Sequence, residues 1–284
     1  MENFKPDENE MIKAIKRSGY LFESLISKYL NDYGFFVESN QVIVDPFTGK
    51  SREIDLVAET HNWNRFDDLG NLLLENKCGS KINFVFEIKN NTAPIVLLTQ
   101  FQDSPNIDSW LGLKERLTFP EEMKEKYFYK YWDYLIDGNK GNIFTQYCSF
   151  QRKNKNSELM ALHPDNIHIG LGKITQYSEE SIESWGRESI DKKHGFFRDF
   201  LHLPVLLISD DLYELEYDDK GEIKLKSVLK SILVYNYHYK NEPNMAYVYV
   251  VTKKGLPKFI EEIQEIKIKV ENDMIEFRNK VTNR

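Results

Sequence analysis

A mixed α/β fold is predicted for this 284-residue chain from three observations. Short apolar runs of strand length recur throughout, as in Phe84–Ile88, Pro204–Ile208 and Met245–Val251. Two long segments, near each end, carry apolar residues at helical spacing. Turn residues separate these segments, and no internal repeat or Gly/Ser/Pro-rich linker interrupts them.

Taken in order, Met11–Tyr33 is expected to be the first helix. Met11, Ile12, Ile15, Phe22, Leu25, Ile26, Tyr29 and Leu30 form its apolar stripe, Asp7 and Asn9 are candidate N-caps, and Gly34 is a stop signal. Phe35–Val44 is the first strand, ended by Asp45-Pro46 and Thr48-Gly49-Lys50. Ile54–Ala58 and Asn83–Lys89 are the next two, with the turn-rich excursion 59–81 between them. A helix is expected near Ile95–Phe101, and an aromatic-rich one over Glu121–Ile136. Asn142–His163 reads as a hairpin around a polar turn, and Ser178–Ile190 as a short polar helix. Strands follow at Leu203–Ile208 and Leu212–Tyr217, then an antiparallel pair at Ser231–Tyr239 and Met245–Thr252. Lys258–Val281 forms a C-terminal helix.

Composition narrows the function. With 41% hydrophobic and 29% charged residues the chain has ordinary globular make-up, which excludes disordered and collagen-like classes. Lys plus Arg number 38 against 45 Asp plus Glu, a net charge of −7, which excludes a protein that coats nucleic acid by bulk charge. A local basic groove remains compatible with that balance. Two cysteines, Cys78 and Cys148, without CxxC spacing, fit a reducing cytosol rather than a disulfide framework. The acidic N-terminus is unlike a signal peptide, and no apolar run approaches the roughly 20 residues that span a bilayer. A cytoplasmic protein without membrane contact is expected.

The chemistry concentrates in three acids and a lysine. Glu87 and Lys89, two apart on a strand, project from one face, with Ile88 on the other. Asp55, in Arg-Glu-Ile-Asp-Leu-Val-Ala, begins a neighbouring strand, where its carboxylate can approach Glu87. Two carboxylates and a backbone carbonyl, such as that of Ile88, make a hard oxygen site suited to Mg²⁺ or Mn²⁺. Lys89 beside a phosphate would orient the attacking water or neutralise charge. An edge-strand salt bridge between Lys89 and a nearby acid is the bland alternative. Glu23 lies on the first helix beside the apolar Phe22, Leu25 and Ile26.

This order of a helix with Glu23, a strand, Ile-Asp55, a strand with Glu87-Ile-Lys89, and a helix resembles the PD-(D/E)XK nuclease superfamily. The resemblance covers about residues 18–100. It departs from the pattern in having Ile54 rather than proline before Asp55, and in the long interval to Glu87. It implies a restriction-endonuclease-like αβββαβ core on a mixed sheet, with a helical and β-hairpin insertion and a β-rich C-terminal extension ending in a helix. Residues 1–104 would carry the motif core and 105–202 the insertion. The remaining core strand, hairpins and terminal helix would occupy 203–284, all in one composite domain. It further implies Asp55 and Glu87 as metal ligands, Lys89 as catalytic and Glu23 as a supporting metal residue. The expected activity is a Mg²⁺- or Mn²⁺-dependent endonuclease, chiefly on DNA, in restriction or anti-phage defence. Its partners would be nucleic acid and a second copy of the chain or a defence-system protein. The alternative is a catalytically inactive nucleic-acid-binding or assembly module of the same fold.

Weaker candidates surround this set. Gln100 is either a site residue or a solvent-facing or capping one. Glu53 shares a strand face with Asp55, and pairing with Arg52 or Lys50 is favoured for it. Basic turns at Arg152, Lys153 and Lys155, at Lys192 and Lys193, and at Lys253 and Lys254 are solvated loops or phosphate contacts. The aromatics are core by default, with a few as stacking platforms. The six histidines lack zinc-site spacing. No P-loop or Gly-x-Ser-x-Gly elbow occurs.

Overall fold

The computed structural model describes residues 6–44, 49–60, 78–91, 93–100, 135, 143–152, 158–185, 190–191, 196–209, 211–240 and 242–282. The chain is mixed α/β: four helices and twelve strands of one mixed sheet lie among the described residues.

The N-terminal helical segment is two helices, α1 (Glu8–Arg17) and α2 (Gly19–Asp32), rather than one. Ser18 breaks it with an extended backbone (φ −79°, ψ 159°), its N–H and hydroxyl turned back onto carbonyls of Ala14 and Ile15. Asp7, not Asn9, is the N-cap of α1, in a reciprocal capping box with Glu10. The break uncouples the two apolar stripes. Met11, Ile12 and Ile15 of α1 are exposed, whereas Phe22, Ile26 and Leu30 of α2 are buried. Gly34, at φ +96°, supplies the left-handed turn after α2.

Strands β1 (Phe35–Val44), β2 (Ser51–Thr60) and β3 (Cys78–Lys89) form an antiparallel meander. The segment 61–77 of the expected excursion lies outside the described residues, as does the aromatic-rich 121–136 except for Leu135, which is helical. β4 (Ile95–Gln100) replaces the helix expected there. A run of four apolar residues carries no period to separate helix from strand. Pairing with β5 (Ile143–Gln151) on one side and β9 (Leu212–Tyr217) on the other decides it, burying Ile95, Val96 and Leu97 alike. β5 pairs with β6 (Met160–Leu162), so the expected hairpin is present.

Helix α3 spans Asp165–Trp185, starting much earlier than the expected Ser178 and ending before Ile190, which belongs to β7 (Ile190–Asp191). Ile167, Leu171 and Ile174, at i, i+4 and i+7, drive it onto the sheet although Gly170 and Gly172 weaken its intrinsic propensity. β8 (Phe196–Ile208), β9, the unanticipated β10 (Ile223–Val228), β11 (Lys230–Tyr239), β12 (Glu242–Thr252) and α4 (Leu256–Thr282) complete the chain. β10 escapes sequence reading because its side chains stay largely solvent-facing and leave no buried pattern.

The sheet runs β1-β2-β3-β8-β12-β11-β5-β4-β9-β10. β3, β8 and β12 are parallel neighbours at its centre, with β3 and β8 registered from Cys78–Phe197 to Lys89–Ile208. Each face of this centre is covered. Phe84, Phe86 and Ile88 of β3 pack towards α2 and α4, where Phe35, Phe84, Phe86, Phe259 and Tyr249 make a chain of ring contacts 5.0–5.6 Å between centroids. Val85 packs with Leu206, Ile208 and Val250 towards α3. β3 is therefore buried on both sides, which explains its nearly continuous apolar sequence.

Asp199 of β8 is fully buried on the α4 side and accepts a hydrogen bond from the Ser80 hydroxyl at 3.1 Å. Burial dominates its titration and pushes its pKa up to about 8. Unfolded, the carboxyl releases its proton near the ordinary 3.8, so between these values the native chain holds the extra proton and stability falls as pH rises. Asp199→Asn is expected to flatten this slope. In thermal unfolding at about pH 5 and about pH 8.5, the variant's melting temperature should change less than that of the wild type.

Candidate functional site

The β2–β3 ladder ends at Leu56–Phe86. Beyond that pair the strands part, and Asp55 reaches across the gap to accept the Ile88 N–H at 2.7 Å through Oδ2. Because Leu56 faces Phe86, Asp55 and Glu87 extend from the opposite side of the sheet, towards α3. The two carboxylates that the motif requires are thus on one face at the end where two strands separate. At this point the hairpin also turns its tip: Asn40, opposite Asp55, takes φ +56°, a conformation asparagine tolerates. The turn directs Ile43 and Ile54 against the α3 side.

Glu87 has no solvent exposure. A lone carboxylate there would cost several kcal/mol in lost hydration, on the order of what buried ions require. Two ammonium groups offset the cost. Lys89, two residues along the same strand face, donates to Glu87 Oε1. Lys173 of α3 lies 2.7 Å from Glu87 Oε2 and 3.7 Å from Asp55 Oδ1, and donates to the Glu53 carbonyl at 2.8 Å. One cation therefore sits between two carboxylates and a backbone carbonyl.

Lys173 and Gly170 are the site residues that sequence reading missed. Gly170 lets α3 approach the carboxylate: a Cβ at this position would fall 2.6 Å from Glu87 Cγ, Cδ and Oε1. The legible signal was there in Ile167, Leu171 and Ile174, which define a helix whose Gly170 and Lys173 lie three apart on one face. The two glycines obscured it.

Glu23 of α2 approaches the same cluster. Its pKa is raised, first by partial burial and then by the negative charges of Asp55 and Glu87, against the lowering effect of Lys89 and Lys173. Ile88 joins through its N–H. The side chain of Glu53 is exposed, and its contribution is the backbone carbonyl held by Lys173. Lys253 and Lys254 lie in the turn after β12, at the same sheet end. The Lys253 N–H donates to the carbonyl of Ile208, the register partner of Lys89, and the Lys253 ammonium stands 5.8 Å from the Phe22 ring centroid. Gln100 is exposed at the end of β4, a strand that pairs with β5 and β9 and not with β2 or β3. Arg152 follows β5 and is exposed. Lys153, Lys155, Lys192 and Lys193 lie outside the described residues.

Among the described residues, no group of three or more His, Cys, Asp or Glu side chains is gathered tightly enough to hold a metal by itself. The donors present are Asp55, Glu87 and nearby carbonyls. That set suits an ion that keeps several waters and takes one or two carboxylates. Among the described residues no helix is long and apolar enough to cross a membrane. No protein-family model, curated protein or solved structure matches the chain.

Gly170→Ala should force Glu87 or α3 to shift. Overpacking of this kind costs about 1–3 kcal/mol, which urea unfolding would register as a lower midpoint with an unchanged slope.

Proposed function

We propose that the chain is a metal-dependent phosphodiesterase of the PD-(D/E)XK type that cleaves nucleic acid, DNA above all. The observation that supports this best is the convergence of Asp55 and Glu87, from strands that have just separated, on a single cation, with Lys89 beside them on the same face. Supporting it, α2, β1, β2, β3, α3 and β8 follow in this order around that point, with β4, β5 and β6 intervening before α3 and β7 before β8; β3 and β8 are parallel and α3 packs across them. The site also opens at the carboxyl ends of β3, β8 and β12, the end where open α/β sheets bind ligands.

In this reading Asp55 and Glu87 would hold Mg²⁺ or Mn²⁺, with water and phosphate oxygens completing the shell. The ion would polarise the phosphate and acidify a bound water. Lys89, fixed by Glu87, offers its ammonium to the charge that develops on the phosphate oxygens or to the attacking water. Glu23 adds a carboxyl at the rim, and its raised pKa keeps it a readier proton holder than an ordinary glutamate. Lys253 and Lys254 contact neighbouring phosphates, positioning the substrate without reading its sequence. Lys173 pairs with both carboxylates, which offsets the cost of burying Glu87. It has to withdraw from Glu87 for a divalent ion to take the same oxygens. A reducing cytoplasm in a restriction or defence setting, with a second copy of the chain or a protein partner, belongs to the same proposal.

A second reading rests on Lys173 itself. If its ammonium occupies the carboxylate pair permanently, the chain is a non-catalytic nucleic-acid-binding or assembly module. Plasmid cleavage in Mg²⁺, Mn²⁺ or EDTA separates the two. Cleavage should require the divalent ion, and Lys89→Ala or Asp55→Ala should lower it by about 10²–10³-fold, the scale of losing one charge-stabilising group. Equal cleavage by wild type and Lys89→Ala would sink the catalytic reading. Lys173→Met removes the competing ammonium, so Mn²⁺ titration by calorimetry should show tighter binding than in the wild type. Unchanged Mn²⁺ affinity would mean that the ammonium and the ion do not share the carboxylates.

A further inference from the structure

On the far side of Lys173 lies a cleft of about 350 Å³ between α3, β11 and the tip of β2. It is at the small end of the about 300–1,000 Å³ usual for ligand clefts. Arg52, Lys173, His168, Gln176, Tyr235 and Tyr237 line it, and no Asp or Glu is among its described lining residues. Lys173 is already held by Asp55 and Glu87, and Glu179 accepts the hydroxyl of the lining Tyr237, so the guanidinium of Arg52 is the charge that favours an anion there.

On its aromatic side Tyr237 is half-buried and can meet a planar group, whereas Tyr235 is buried, its hydroxyl donating to the His168 carbonyl at 3.3 Å. Tyr235 and Tyr237 are near-parallel, 11° between planes and 6.1 Å between centroids. His168 meets Tyr235 edge-on at 5.4 Å, and His163 extends the row to Tyr147 at 4.4 Å. Gly172 forms part of the wall, where an added Cβ would be 3.4 Å from the Tyr235 hydroxyl, so even one larger side chain would intrude on the cleft. Lys173 is the common wall of cleft and carboxylate site.

We infer that this cleft seats one unpaired nucleotide of the bound strand, its base on a ledge formed by Tyr237 and its phosphate towards Arg52. This deepens, and rests on, the nuclease reading of the Asp55–Glu87–Lys89 site. A base can lie on the ledge only when its own face is free of a neighbouring base. The cleft therefore favours single-stranded or frayed nucleic acid over continuous duplex. Base–aromatic stacking carries enough free energy to make the difference about tenfold or more.

The test uses the full chain in EDTA, with a fluorescein-labelled thymidine 12-mer followed by anisotropy. The single strand should bind about tenfold tighter than the same sequence in a blunt duplex. Gly172→Leu, which fills the cleft with a good helix former, and Arg52→Gln should each weaken single-strand binding by about tenfold. Circular dichroism should show both folded. If one variant fails to fold, the other carries the comparison, and photocrosslinking of a 5-iodouridine-substituted 12-mer should map to the Tyr235–Tyr237 peptide. Wild-type affinity in a folded Gly172→Leu, or crosslinks elsewhere, overturns the inference. So does thymidine monophosphate binding as tightly as the 12-mer, which would assign the cleft to a free nucleotide. Plasmid cleavage on the same samples keeps the two readings apart. Cleavage that persists with unchanged oligonucleotide binding in Gly172→Leu removes the cleft and leaves the nuclease. Cleft-dependent binding without any cleavage in Mg²⁺ removes the nuclease and leaves the cleft.

Discussion

Glu87 is a charged group at the end of the central strand of a two-faced core, with no solvent to hydrate it. Its accommodation sets constraints that run outward through the structure. Lys89 must share its strand face, α3 must lie close enough for Lys173 to reach it, and a glycine must stand where α3 crosses the carboxylate. Asp55 meets the same point because the β2–β3 ladder ends one residue earlier, and its Oδ2 takes the Ile88 N–H at the opening. A buried ion pair of this kind contributes little net stability, since desolvation offsets most of the Coulombic gain.

The surrounding architecture separates the two demands. Towards α2 and α4 the sheet packs a continuous aromatic and aliphatic layer that includes Phe35, Phe84, Phe86 and Phe259. Towards α3 the layer is thinner and gives way to polar groups at the strand ends, where Lys173, Gln176 and the β1–β2 tip are held by hydrogen bonds to Glu53 and Val44 carbonyls. Stability therefore resides chiefly on one face, and the charged cluster is positioned on the other.

Much of the framework was legible in the sequence. β1 and β9 lie within the bounds that turn residues and alternation mark, and β11, β12 and α4 differ from them by a few residues. The misreadings share a cause. Ile95–Leu98 and the segment from Asp165 carry too little local period, or too many glycines, to declare their state, and only pairing or packing with distant residues decides it. The single expected N-terminal helix failed for another reason: Ser18 interrupts a stripe that sequence spacing alone carries through.

The sequence by itself determined which residues could do the chemistry, because strand alternation puts Glu87 and Lys89 on one face whatever the rest of the chain does. It also determined that an acidic chain would need its cationic groups placed locally. Tertiary structure alone decided that Lys173, far from Asp55 and Glu87 in the chain, would become the cation between them. Local pattern encodes which way a side chain faces. Which distant face it meets depends on strand order and on the close approach of α3, and neither has a short-range signature.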